Sequence, residues 1–159
     1  MKSRVRVGMI LIGCTGILVA ALGAAAVAAK SSAKKMHVSC TATAYGVDYP
    51  KLSGVAFGDV KCTKPFGVGV QRARNTTTIA GSTANVSGSF KNFFDDGTNY
   101  GTVKMSGPVS AGAITVKGSV TTIGGTGAYK HISGKGSVSC TTTDAGKTFH
   151  CTVKGTFTL

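Results

Sequence analysis

The stretch that decides the fold is AITVKGSVTTIGGTGAYKHISGKGSVSCTTT, residues 113–143. Apolar or small residues alternate with polar ones on both sides of its glycine-rich turn, residues 124–127. A period of two is typical of half-buried strands, and consecutive small residues reverse the chain at low steric cost. The stretch therefore predicts a strand, a tight connection and a second strand that ends at a cysteine, Cys140.

The composition favours strands over helices. The 159 residues include 23 Gly but no Trp, and the five acidic residues are all Asp. Glu is a common residue of helix surfaces, whereas Thr, Ser, Val and Gly, which dominate after the first 30 residues, suit strands joined by tight turns. We therefore predict an all-β fold. About 130 residues remain after the leader described below, which is enough for one domain with one core.

The rest of the chain continues the same alternation. It predicts strands over residues 36–45, 55–63, 84–94, 100–106 and 149–159, with two shorter candidates at 66–71 and 76–80 joined by a polar link at 72–75. Gly107 and Pro108 are predicted to end one strand, and Asp95-Asp96-Gly97 is predicted to be a turn. Eight or nine strands about ten residues apart are typical of an antiparallel sandwich or barrel. A terminal strand that alternates so clearly favours closure, so we expect a single antiparallel β-barrel of about eight strands over residues 36–159.

The first 29 residues have the order of a secretory signal peptide. Three basic residues within the first six are followed by an uncharged run and small residues at 26–28. We expect cleavage near Ala28 or Ala29, secretion, and a flexible basic tail over residues 30–35. Two alternatives stay open: the uncharged run of about 23 residues could anchor the chain in a membrane, and Cys14 ends a lipoprotein-like cleavage box.

Four cysteines remain after the leader: Cys40, Cys62, Cys140 and Cys151. An even number in an exported chain indicates two disulfides, for which three connectivities are possible. Each sequential pair brackets a predicted turn and would face its partner across a hairpin. We therefore predict the disulfides Cys40–Cys62 and Cys140–Cys151, each worth about 3 kcal/mol in the chain-entropy model.

No catalytic or metal-binding constellation stands out. The chain lacks a Gly-x-Ser-x-Gly elbow, a His-Glu-x-x-His helix and a Cys-x-x-Cys pair. His131, after the glycine turn, is a lone candidate general base that would face a cavity. Asp95 and Asp96 could share a proton, although their place beside Gly97 favours a turn. We expect no catalytic residue, no metal site and no cofactor, and the pattern favours a protein that is not an enzyme.

The net charge is strongly positive. It is +13 for the whole chain and falls to +10 without the three basic residues of the leader. Such an excess attracts anionic partners such as nucleic acid, anionic lipid or wall polymers. The basic residues are scattered singly along the predicted strands, however, which favours a solvated lysine-rich surface.

Residues 124–129, GGTGAY, are followed by SGKG at 133–136. Together they resemble the GGTG-x-aromatic…G-x-G signature of the allene oxide cyclase and dirigent-like barrel superfamily. Residues 94–98 and the strand at 101–107 resemble the preceding hairpin of secreted bacterial relatives. The resemblance is specific over about thirty residues and extends more loosely over residues 84–159, and the first half of the chain matches only in strand rhythm. It implies an eight-stranded antiparallel barrel, often trimeric, whose interior holds a small apolar ligand in plant members.

The chain also departs from that superfamily. The cyclases depend on a glutamate inside the barrel, and this chain has no Glu. Dirigent proteins use aspartates and cationic residues in the cavity, and none of the five Asp aligns with those positions. Fold transfers better than function in such a case.

These observations lead to one main functional expectation. We expect a secreted, disulfide-stabilised β-barrel with a non-catalytic binding or structural role, holding a small apolar ligand. One alternative is a dirigent- or cyclase-type enzyme that steers a small apolar intermediate. The other is a cationic protein that binds anionic envelope polymers or nucleic acid.

Overall fold

The computed structural model describes residues 34–46 and 53–159, which form a closed barrel of eight antiparallel strands. Each strand pairs with the next along the chain, and the last pairs with the first. The strands are β1 (Lys35–Gly46), β2 (Gly54–Cys62), β3 (Val68–Ala80), β4 (Thr83–Phe94), β5 (Gly97–Ser110), β6 (Ala113–Gly125), β7 (Ser133–Thr142) and β8 (Thr148–Thr158), with a short 3-10 helix at Gly127–Tyr129. The predicted all-β barrel is confirmed.

Several sequence-based expectations concern other parts of the chain. The predicted signal peptide, its cleavage point near Ala28 or Ala29, the box at Cys14 and most of the basic tail lie outside the described residues. Of that tail, Lys34 and Lys35 are described, and Lys35 already belongs to β1.

The predicted polar link at residues 72–75 is wrong, because β3 runs through it without a break. Arg72 and Arg74 are exposed while Ala73 and Asn75 are half-buried, so the period of two is kept. Arg72 pairs with Phe57 on β2 and with Lys91 on β4. Polar side chains on the outer face of a barrel strand do not interrupt its backbone pairing, and the two arginines were therefore a misleading signal.

The predicted end of β5 at Gly107 and Pro108 is also wrong. The strand continues to Ser110, and its pairing with β6 resumes at Val109, opposite Ile114. Pro108 is opposite Thr83 on β4, but it lies between the positions that pair with β6, where the N–H that proline lacks is not required for the ladder.

The barrel closes partly because glycine sits at positions of close approach. A Cβ atom at Gly101 would meet the carbonyl oxygen of Thr121 and the ring of Phe90. The pairing of β5 with β6 shifts register between Tyr100 and Gly101. A bulge of this kind bends a strand and increases its twist, and glycine lets the neighbouring chain approach at that bend.

One end of the barrel is filled by an aromatic plug, which we define as Phe66, Phe94, Tyr129 and Phe157. All four side chains are buried, and the centroid of the Phe66 ring lies 4.8 Å from that of Tyr129 and 5.4 Å from that of Phe94. The hydroxyl of Tyr129 donates a hydrogen bond to the carbonyl oxygen of Pro65 at 3.2 Å. Tilted pairs at these distances are favourable geometries for aromatic rings. The predicted glycine turn therefore supplies more than a reversal, because it carries Tyr129 into this plug.

Candidate functional site

The barrel interior contains a cavity of about 150 Å³. Each of the eight strands contributes inward side chains to its wall, and most of these are aliphatic or aromatic. They include Val38, Val60, Ala73, Phe90, Val103, Val116, Val138 and Val153, one from each strand in order. Deep apolar cavities of this kind are the usual sites for small ligands in small barrels.

The two ends of the cavity differ in chemistry. At one end, Phe66 and Phe157 of the aromatic plug form the wall. At the other end, Asn75 and Thr77 of β3 line the cavity, and the N–H of Thr77 donates to the hydroxyl of Ser53 at 2.8 Å. The cavity therefore runs from an aromatic floor to a hydrogen-bonded polar end.

Both predicted disulfides are present and lie inside the barrel. Cys40 is bonded to Cys62, and Cys140 to Cys151. Each pair joins residues that face each other directly on neighbouring strands. All four cysteines line the cavity, and each disulfide belongs to a different hydrophobic cluster of the core. The disulfides therefore fix the wall of the cavity on both sides.

Sequence reasoning missed a row of three amides in the cavity wall. Gln71, Asn92 and Asn99 occupy paired positions on β3, β4 and β5, and all three line the cavity. Asn92 is 9% exposed and Asn99 is 6% exposed. The sequence did contain a signal for Asn92. It lies two residues from Phe90 and from Phe94, and alternate residues of a strand point to the same face, so Asn92 shares the inward face of the two phenylalanines.

The hydrogen bonds of this row are incomplete. The side-chain amide of Asn92 donates to Oδ1 of Asn99 at 3.0 Å. Oδ1 of Asn92 is buried and accepts no hydrogen bond from any residue in the two described ranges. Buried side-chain oxygens without a donor are rare in proteins because they lose their hydration without replacement.

The sequence-predicted candidates for acid–base chemistry do not meet in the cavity. His131 is exposed in the connection between β6 and β7, so the expectation that it faces a cavity is wrong. Asp95 and Asp96 are exposed in the turn between β4 and β5, as predicted, and the carbonyl of Asp96 accepts the N–H of Ala128. The reason is local: both segments connect strands at the plug end and lie outside the alternating inward positions.

Burial and nearby charges determine the protonation of Tyr129 in the aromatic plug. Burial raises the pKa of Tyr129 above its ordinary value, and the carboxylates of Asp96 and Asp95 raise it further. Tyr129 therefore stays a neutral hydrogen-bond donor in the plug. Among the cavity-lining residues that the structure describes there is no carboxylate and no histidine, and their one cationic side chain, Arg74, is exposed.

Within residues 34–46 and 53–159, no group of three or more His, Cys, Asp or Glu side chains is arranged to hold a metal ion. In the same ranges, no helix has the length and hydropathy needed to cross a membrane.

The outer wall of the barrel is basic and also carries exposed apolar side chains, four of which line one groove. Exposed cations lie on all eight strands: Lys35, Lys61, Arg72, Arg74, Lys91, Lys104, Lys117, Lys135 and Lys154. Asp59 is the one acidic side chain on a described strand. Tyr45, Phe57, Val70 and Phe93 are all more than a third exposed and line a shared groove, which we call the outer apolar patch.

Comparisons with known proteins assign no family. No family model matches the chain, and no curated protein matches it. The comparison with solved structures matches the chain to a pyocyanin demethylase, with a TM-score of 0.41 and 13% sequence identity over 77% of this chain and 99% of that one. A similarity at this level transfers neither activity nor substrate.

Proposed function

We propose that this protein binds a small apolar molecule inside its barrel without catalysing a reaction. The observation that carries the proposal is the cavity of about 150 Å³, lined mostly by apolar side chains and enclosed by a barrel with two internal disulfides. Empty apolar cavities of about this volume bind molecules the size of benzene. Two disulfides also favour an exported protein, which agrees with the signal peptide expected from the sequence.

The chemistry of the wall supports binding rather than catalysis. General acid–base catalysis needs a titratable group within hydrogen-bond reach of the reacting atoms. The described lining offers amides, hydroxyls and disulfides instead, together with the exposed Arg74. The resemblance of residues 124–136 to the allene oxide cyclase and dirigent-like superfamily supports an internal ligand, although the glutamate of the cyclases has no counterpart in this chain.

Benzene titration into protein with ¹³C-labelled methyl groups tests the proposal. We expect shifts at cavity methyls such as Val116 and Val138, and no shifts at the exposed methyls of Val68 and Ile123. The dissociation constant should be about 0.1–1 mM, given the few atoms that so small a ligand contributes. Shifts confined to exposed methyls, or no saturable shift at all, would refute internal binding.

A matched pair of variants tests whether the ligand binds inside the cavity. Ala73→Leu adds volume to the cavity wall opposite Phe90, whereas Thr78→Leu adds the same side chain at an exposed position of the same strand. We expect Ala73→Leu to weaken benzene binding at least about tenfold, because the cavity is small. Thr78→Leu should leave the affinity unchanged. Equal effects of the two variants would contradict the assignment.

The native ligand can be sought in protein purified from culture medium. Native mass spectrometry would show a small molecule bound to the protein. If that molecule is then added to the protein in excess and is recovered chemically unchanged, the result supports binding without catalysis. Conversion into a new product would instead support the dirigent- or cyclase-type alternative. The mass of the intact chain would test cleavage near Ala28 or Ala29 against membrane anchoring and against lipidation at Cys14.

The distribution of charge favours a second candidate function, binding of an anionic polymer. Exposed Lys and Arg side chains lie around the outer wall, with Asp59 as the acidic residue on the described strands. Binding to heparin as a probe should weaken steeply between 50 and 200 mM salt, about in proportion to the number of contacts with anionic groups. Retention that does not depend on salt would refute this second function.

We further propose that the resemblance to often trimeric barrels extends to oligomeric state. The outer apolar patch is the surface that a second copy would cover, because single exposed apolar side chains are ordinary but a contiguous group often marks an interface. Light scattering after size exclusion should give a trimer that Phe57→Lys converts to monomer. A monomeric wild type would refute the proposal.

A further inference from the structure

The cavity has one polar position that its own wall does not satisfy. Asn92 lines the cavity, and its Oδ1 is buried and accepts no hydrogen bond from the described residues. The other half of the same side chain is held in place, because its Nδ2 donates to Asn99 Oδ1 at 3.0 Å. The acceptor is therefore oriented before any ligand arrives, and so it costs little to immobilise on binding.

We propose that the ligand is a compact apolar ring that carries one neutral hydrogen-bond donor, an N–H or an O–H, which donates to Oδ1 of Asn92. This inference rests on the proposed function, since it requires that the cavity be the binding site. The ring would contact the apolar wall beside Phe90 and Val120, and the donor would point to the amide row. A buried acceptor that gains a donor on binding discriminates strongly against ligands without one.

The electrostatics of the wall exclude charged versions of the same ring. A carboxylate or phenolate would place lone pairs against the lone pairs of Oδ1, and the one cation of the described lining, Arg74, is exposed. A cation would enter a cavity whose described lining has no carboxylate, and burying an unpaired charge is strongly unfavourable. A neutral donor is the class of group that fits both the volume and the open acceptor.

Three five-membered rings of similar size test this inference: pyrrole, which has an N–H donor; furan, which has an ether oxygen; and thiophene, which has neither an N–H nor an O–H donor. Binding to the oxidised wild-type protein is measured by methyl shifts at Val116 and Val138. We expect pyrrole to bind about tenfold more tightly than thiophene or furan.

The double variant Asn92→Leu/Asn99→Leu supplies the comparison. Both amides are replaced because removing Asn92 alone would leave Oδ1 of Asn99 without its donor and create a new open acceptor. Replacing both partners by apolar groups of similar shape is close to neutral for stability. The preference for pyrrole should fall to within about twofold. The quantity compared is the ratio of the affinities for pyrrole and thiophene, in wild type and in the double variant. The difference in hydration between the two rings is the same for both proteins and therefore cancels.

The outcomes separate this inference from the proposed function. Absence of binding by all three rings and by benzene would overturn both. Equal binding of the rings to wild type, or an unchanged preference in the double variant, would overturn the donor assignment and leave internal binding intact. Tighter binding of furan would also overturn it, since it would require the opposite orientation of the Asn92 amide.

A second measurement keeps the test decisive if the double variant does not fold. In wild-type protein labelled with ¹³C and ¹⁵N, pyrrole should shift the Cγ resonance of Asn92 while an equal occupancy of thiophene should not. Thr122 lines the same cavity and serves as the internal control. Identical shifts of Asn92 Cγ with both rings would overturn the proposal.

Discussion

Truncation of Phe66 should cost this barrel a large share of its stability. Phe66 lies in the connection between β2 and β3, is 6% exposed, and contacts the other three rings of the plug. The centroid distances are 4.8 Å to Tyr129, 5.4 Å to Phe94 and 6.5 Å to Phe157. Buried Phe→Ala substitutions cost about 3–5 kcal/mol. We expect the lower part of that range, about 3 kcal/mol, because a connecting segment can relax into the space more readily than a strand.

Urea unfolding of the oxidised protein measures this loss. The chain has no Trp, so far-UV circular dichroism and tyrosine fluorescence are the appropriate signals. With a slope of about 2 kcal/mol per molar urea, Phe66→Ala should lower the midpoint by about 1.5 M. The slope itself should stay the same, since a closed barrel would still unfold as one unit.

Phe93→Ala is the matched control. Phe93 is adjacent to the plug residue Phe94 in sequence, but it points outward and is 38% exposed. Its ring lies 5.1 Å from the ammonium group of Lys91, and a cation–π contact at such an exposed site is worth about 0.5–1 kcal/mol. With both variants made in the Phe57→Lys background, so that no second copy covers the outer apolar patch, the midpoint for Phe93→Ala should fall by no more than about 0.5 M. If Phe66→Ala loses less than about 1 kcal/mol, or no more than Phe93→Ala, the plug does not close the barrel as described.

Three further perturbations test other parts of the fold. Replacing both Cys140 and Cys151 by Ser should cost about 3 kcal/mol and lower the melting temperature by about 10–15 °C, and an unchanged melting temperature would contradict a stabilising bond. Hydrogen bonds from a backbone N–H, and then from a neighbouring hydroxyl, lower the pKa of Asp144 from 3.8 to about 2. The stability that this carboxylate contributes is fully present above about pH 4 and is lost as the pH falls through about 2. Asp144→Asn should therefore make the free energy of unfolding less dependent on pH between those values. Identical pH profiles of wild type and variant would contradict this. Gly118→Val would place a Cβ against a carbonyl oxygen of β5 and should cost at least about 2 kcal/mol in urea unfolding. The control Ser119→Val, at an outward position, should change stability by less than about 0.5 kcal/mol. Equal losses in the two variants would refute the close approach at Gly118.

The positions of both disulfides could be predicted from the sequence because they depend on hairpin geometry. In a tight antiparallel hairpin, residues equally far from the turn face each other, and Cys140 and Cys151 do so across the β7–β8 turn. The same holds for Cys40 and Cys62 across the β1–β2 connection. The turn at Asp95 could be predicted for a similar reason, because its residue types favour a chain reversal independently of the rest of the sequence.

The failures were local signals that the barrel overrode. The two arginines in β3 indicated a link, but pairing on both sides of the strand holds its backbone in register. Pro108 indicated a strand end, but it lies between the paired positions of β5 and β6. His131 was placed near a cavity by its distance from the turn, and the structure shows that it faces outward.

Taken alone, the amino-acid sequence determined the all-β class, most of the strands and the pairing of the cysteines, because a two-residue period and a hairpin are properties of neighbouring residues. Only the tertiary structure decided the register in which β8 pairs with β1, that Phe66 completes the plug, and that Asn92 meets Asn99 in the cavity wall with one buried acceptor unsatisfied. Those features depend on the shear of the whole sheet and on the packing of its connections. Both are fixed when all eight strands close together, and no short stretch of sequence specifies them.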